Sequence, residues 1–229
     1  MNDVFEGFGT GAQQFFAELA HSNTKEWFKA HEERYDAEIR EPALAFIRAL
    51  GPWLAEKYPT IGFGTQRNGS GSLMRIHRDV RFSPDKRPYK ENLGVIFWLG
   101  EGKKVERPCF YFHMDAGRVF FYGGQHMFPK EVLGRYREAV DHAERGPDLE
   151  EILGDLDGGG LPLMEEPAYK RVPRGYDREH PREHLMRLAG LGVGADLEAA
   201  ALQRADLVER CAEYAERMRP LHEWLGRIN

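Results

Sequence analysis

The chain has 229 residues, with 32 Lys and Arg against 37 Asp and Glu, so its formal net charge is −5. Apolar residues make up 41% and charged residues 30%, a balance that excludes a disordered tail, a collagen and a disulfide scaffold. The longest apolar run, Leu93 to Leu99, falls far short of the roughly 20 residues that cross a bilayer, so no membrane partner is expected.

Met1-Asn-Asp-Val-Phe-Glu6 lacks the basic start and apolar stretch of an export signal. With only two cysteines, Cys109 and Cys211, the expectation is a cytoplasmic protein with reduced thiols. Nothing around Cys109 supplies the electropositive setting of a nucleophilic thiol.

In chain order, Gln13 to His21 reads as a helix with Phe15, Phe16 and Leu19 on one side. Asn23 stands as the cap of the next helix, with Glu26 three residues on, and Trp27, Phe28, Tyr35 and Ile39 extend the stripe. Pro42 suits the first turn of a further helix running to about Lys57. The turn cluster Arg67 to Ser72 leads into four predicted strands, Leu73 to Phe82, Leu93 to Leu99, Pro108 to Met114 and Arg118 to Tyr122. No helix-length segment separates them, so they form an antiparallel meander rather than βαβ units. Helices follow from Pro129 to about Glu144, Leu149 to Leu156, Pro181 to Ala189 and Ala205 to the end. The expected fold is α+β, one domain over residues 1–229: helical over 13–57, sheet over 61–122, helix and loop over 129–229. A mainly antiparallel sheet of four or more strands packs against N-terminal and C-terminal helices.

Charge is concentrated in one segment. Arg67 to Lys90 holds seven cations and two anions, a local +5 that leaves −10 for the rest. A period of two puts Met74, Ile76, Val80 and Phe82 on a core face with Arg78, and Leu73, Arg75, His77, Asp79 and Arg81 on the other. Two readings follow. Arg75, Arg78, Arg81, Lys86 and Lys90 converge on a phosphate or carboxylate, Arg supplying forked donors and Lys point charges, with Asp79 and His77 as the local proton carriers. Alternatively the same residues form a salt-bridge lattice with Glu32, Glu33, Asp36 and Glu38, in a non-catalytic interaction protein. A ligand pocket leaves cationic heads unpaired; a lattice matches each to a carboxylate.

The run Arg75-Ile-His-Arg-Asp-Val-Arg-Phe-Ser-Pro-Asp-Lys-Arg-Pro-Tyr-Lys90 resembles the signature of a bacterial and fungal family, domain of unknown function 2461. The likeness extends to Asn23-Thr-Lys-Glu-Trp-Phe28, Tyr111-Phe-His113 with Gly123-Gly124, and Lys170-Arg-Val-Pro-Arg-Gly-Tyr-Asp177 with His180-Pro181, so it spans about Phe15 to Leu225. That family often has two asparagines where Ser22-Asn23 stands here. The resemblance implies a single α/β-type domain and carries over no activity and no catalytic residue.

The remaining constellations are weaker. His180-Pro-Arg-Glu-His184 has the order of a zinc peptidase, but Pro181 places His180 at a helix start, off the regular turn. His113, Asp115 and His126 offer metal donors but are scattered. Gly7-Phe-Gly-Thr-Gly11 has no preceding strand and no following Lys-Ser or Lys-Thr, so no nucleotide loop is expected there. Phe110, Tyr111, Phe112, Phe120, Phe121 and Tyr122 read as sheet core rather than base-stacking platforms. Lys170, Arg171, Arg174 and Arg178 make a second basic cluster, with Arg174 added to the ligand set. No metal and no cofactor is expected. The expected partner is a small anionic ligand, with nucleic acid disfavoured by the overall negative charge.

Overall fold

The computed structural model describes residues 4–229 and contains one antiparallel sheet in an α+β fold. Its strands are β1 (Ile61–Gly62), β2 (Asn92–Leu99), β3 (Cys109–Asp115), β4 (Val119–Gln125) and β5 (Leu191–Asp196), hydrogen-bonded in the order β1-β2-β3-β4-β5. The chain divides into two compact units. The first runs to Phe97 and adds Tyr111–Phe121 and Asp196–Glu213; the second comprises Trp98–Phe110, Tyr122–Ala195 and Tyr214–Asn229. Among the described residues, no helix is long and apolar enough to cross a membrane.

In the first unit, α1 (Ala12–His21) buries Phe15, Phe16 and Leu19. Phe8 stacks on Phe112 at 5.6 Å, and Phe46 touches Phe112 at 5.0 Å and Phe97 at 6.4 Å. This aromatic filling is what the alternating residues of β3 predict. The helix α2 (Lys25–Ala30) is capped by Thr24, whose hydroxyl accepts from the Trp27 amide, and not by Asn23. Helix α3 (Glu32–Tyr35) runs through a π turn, Asp36–Arg40, into α4 (Glu41–Lys57). Pro42 therefore stands in the first turn of α4, as its sequence predicts, although the π turn joins α4 to α3 without a break. It has no N–H to give the carbonyl four residues back, and the π turn skips that bond.

The expected strand from Leu73 to Phe82 is absent. Two isolated bridges replace it, Leu73 to Val95 and His77 to Tyr89. Four residues separate the bridged positions on one limb and six on the other, so extra chain bulges out and no continuous ladder forms. Pro84 and Pro88 also deny the returning limb two amide donors. Leu73 and Ile76 are buried, but Phe82, assigned to the core face, is 93% exposed with the Arg81 guanidinium over its ring. The alternation breaks with the ladder.

The second unit holds α5 (Lys130–Asp141), α6 (Arg145–Gly158) and α7 (Glu183–Met186). Helix α8 (Leu207–Arg217) ends and α9 (Arg219–Gly226) begins at Met218, with Pro220 in the first turn of α9. Trp224 donates its indole N–H to the Arg145 carbonyl at 3.1 Å, and Tyr136 donates to the Leu185 carbonyl at 3.0 Å. Strand β5 was not foreseen because Leu191-Gly-Val-Gly-Ala195 reads as a turn. Its Gly192 is required by packing: a Cβ there would lie 2.2 Å from the Tyr122 ring.

Candidate functional site

The charged segment belongs to the first unit and is shaped by its own ion pairs. Arg78 reaches Asp85 at 2.6 Å, Arg81 reaches Asp79 at 2.6 Å, and Arg87 bridges Asp85 at 2.7 Å and Glu91 at 2.5 Å. Arg67 pairs with Glu41 at 2.5 Å. Lys86 donates to the Val80 carbonyl at 3.0 Å. The helix carboxylates expected as lattice partners bind elsewhere: Asp36 to Arg40, and Glu38 to Arg34. The lattice is thus internal to the loop, each Asp folding back on an Arg two residues on. Arg81 holds the Asp79 carboxyl down to about 2, and Arg87 with Arg78 depresses Asp85 further. A carboxyl so acidic is a weak base at neutral pH. His77 is exposed, its ring 5.1 Å from Tyr89 and 6.4 Å from Phe28.

Arg75 and Lys90 stand outside this lattice, and Lys86 reaches only a backbone carbonyl of the loop. Among the described residues, neither Arg75 nor Lys90 has a carboxylate within ion-pair distance. Arg75 is exposed, while Lys90 is half-buried. Burial lowers the Lys90 pKa, and the nearby Arg75 charge lowers it again. This is the opposite of a structural ion pair, in which a carboxylate would hold the ammonium charged.

Lys90 lines a shallow cleft of about 290 Å³ together with Arg78, Arg87 and Tyr89. The same cleft is lined by Glu91 and Asn92, and by His113 and Asp115 at the end of β3. Their i, i+2 spacing puts both on one face of the strand, and the His113 Nε2 lies 2.9 Å from an Asp115 carboxylate oxygen. The other Asp115 oxygen accepts from the amides of Gly117 and Arg118, both at 2.8 Å, which closes the turn to β4. Burial raises the Asp115 pKa, but the His113 hydrogen bond and the two amides outweigh it, and the net direction is down. His113 lies flat on Phe120, 4.6 Å between centroids and 13° between planes.

Asn23 ties the cleft to the helices. Its amide donates to the Tyr89 carbonyl at 3.0 Å and to Glu91 at 2.9 Å, and its oxygen accepts from the Tyr89 N–H at 3.1 Å. The flanking bonds, Arg78 N–H to Pro88 and Lys90 N–H to Ile76, use one edge of the returning limb. Tyr89 presents its own groups to the other edge, and one side chain satisfies both as a neighbouring strand would. The helix-cap signature concealed this role. The His113–Asp115 pair was legible in the strand alternation but was read there only as scattered metal donors.

The other constellations resolve separately. Arg174 is exposed in a turn of the second unit. His126, in the second unit, contacts Glu165 at 3.4 Å, and that hydrogen bond raises its pKa. His180 precedes α7, accepts from the Arg182 amide and contacts Asp141 at 3.2 Å, while His184 is exposed, so the peptidase order does not put two histidines one turn apart. Among the described residues, no three His, Cys, Asp or Glu side chains are grouped to hold a metal ion.

These features define an α+β protein with a cationic cleft at an irregular strand edge. Residues 11–224 match a family described as conserved hypothetical protein (DUF2461), and the chain belongs to that family. No curated protein matches it, and no solved structure does.

Proposed function

We propose that the protein binds a small phosphate-bearing or similarly anionic ligand in the cleft lined by Lys90 and Arg78, with Arg75 nearby. The observation that carries this reading is the half-buried Lys90 ammonium, which among the described residues has no carboxylate within ion-pair distance and which Arg75 repels. An anion relieves both penalties at once. Asn23 fixes the backbone beside Lys90, so the cation is held in place before any ligand arrives. The free buried thiols Cys109 and Cys211 support placing the protein in a reducing compartment, the cytoplasm.

The test is thermal unfolding of the wild type and a Lys90→Met variant across inorganic phosphate concentrations. At 100 times its dissociation constant, phosphate stabilises the wild type by about 2.7 kcal/mol. Lys90→Met loses that response and, without ligand, is more stable than the wild type by roughly 0.5–1 kcal/mol, because a strained functional charge has gone. No phosphate response in the wild type, together with a less stable variant, refutes the reading.

The ion pairs within the loop favour a second reading, in which the charged segment is a self-contained lattice presented to a protein partner. Under it Lys90→Met leaves ligand responses unchanged because there are none.

A further inference from the structure

Resting on the anion reading, we propose that the cleft hydrolyses phosphomonoesters, with His113 as general base, Asp115 as its positioning residue and Lys90 as proton donor to the leaving oxygen.

Three observations converge on this. Asp115 takes His113 Nε2 at 2.9 Å, and among the described residues the other ring nitrogen bonds to no protein group. An imidazole whose Nε2–H is held by a carboxylate keeps its basic lone pair on Nδ1, the arrangement that prepares a proton acceptor. Phe120 beneath the ring and the amides on Asp115 leave the pair little freedom to turn. This ring and Lys90 line the same cleft, so a proton acceptor and an unpaired cation face one space. At about 290 Å³ and open to solvent, that space takes a phosphoryl group and leaves the alcohol portion of the ester outside. A phosphomonoester carries its charge on the reacting phosphorus centre, so the cations that bind it also stabilise the transition state.

The step balances without a further reactant. Water forms a new P–O bond and gives its proton to His113 Nδ1. The ester P–O bond breaks, its electron pair leaves with the alcohol oxygen, and that oxygen takes a proton from the Lys90 ammonium. His113 returns its proton to solvent, Lys90 regains one, and the products are an alcohol and inorganic phosphate.

The full chain is assayed with p-nitrophenyl phosphate as substrate and, separately, by calorimetry with inorganic phosphate. The wild type turns over the ester. His113→Gln lowers kcat by about 10²–10⁴-fold while keeping the phosphate affinity of the wild type. Asp115→Asn retains the oxygen that closes the turn; it lowers kcat with KM unchanged and alters the acid limb of the pH–kcat profile, which a merely structural role leaves alone. Near-ultraviolet circular dichroism shows that each variant is folded, and His113→Asn replaces His113→Gln if that one is not. Phosphate binding without turnover, or a folded His113 variant with the wild-type rate, overturns the proposal and spares the anion reading. A wild type that binds no phosphate and releases none overturns both.

Discussion

Replacing Asn23 by Ala tests whether one side chain holds the charged loop to the helices. The substitution removes three hydrogen bonds and strands the N–H and C=O of Tyr89, a residue only 6% exposed. An unsatisfied buried polar group costs about 1–3 kcal/mol, and water reaches this partly buried site to some extent, so the expected loss is about 2–3 kcal/mol. For a chain of this size each kcal/mol lowers Tm by about 2–4 °C. Urea unfolding measures the loss as a lower midpoint at unchanged slope. Asn23→Asp is the companion. It keeps the acceptor for the Tyr89 amide, abolishes both donations and sets a carboxylate beside Glu91, so it is at least as damaging at pH 7. Lys90 follows Tyr89, and phosphate binding weakens in both variants. A loss under about 0.5 kcal/mol in Asn23→Ala, the range of an ordinary surface change, refutes the clamp.

Three further outcomes separate the observed loop from a regular strand and fix the state of its neighbours. Phe82→Ser changes urea stability by less than about 0.5 kcal/mol, whereas Ile76→Ala costs about 2–4 kcal/mol, although period-two alternation puts both residues on one face; equal costs would restore the strand. Burial pushes the Cys109 thiol up to about 12 and Cys211 up as well, so neither reacts with Ellman's reagent at pH 8 until the chain is unfolded, and a fast native reaction at either would contradict that burial. The folded Asp115 pKa lies below its unfolded value, so its contribution is complete above the unfolded value near 4 and disappears as pH falls through the folded one. Asp115→Asn therefore shows a shallower decline in stability on acidification than the wild type, and identical slopes would remove Asp115 from the acid transition.

The regular elements were legible because their periodicity survives tertiary packing: Phe15, Phe16 and Leu19 bury where a helix puts them, as do Phe110 and Phe112 where a strand does. Legibility ended where the backbone leaves the ladder. Arg75 to Phe82 alternates well enough to read as a strand, but alternation reports which side chains the core accepts, and it is silent on whether the facing limb can pair. Here the facing limb carries Pro84, Pro88 and two surplus residues, so pairing contracts to isolated bridges. Strand β5 went unread because its glycines interrupt the apolar run, although Gly192 is there to admit the Tyr122 ring.

The site was hidden for a related reason. The segment's charges read as a cationic excess, yet Asp79 and Asp85 each pair with the Arg two residues on. With those pairs formed, Lys90 stands, among the described residues, without a carboxylate within ion-pair distance. The interrupted ladder thus sorts the cations. It commits Arg78, Arg81 and Arg87 to nearby carboxylates, and it leaves Lys90 lining the same cleft as His113, with the Tyr89 backbone free for Asn23 to hold.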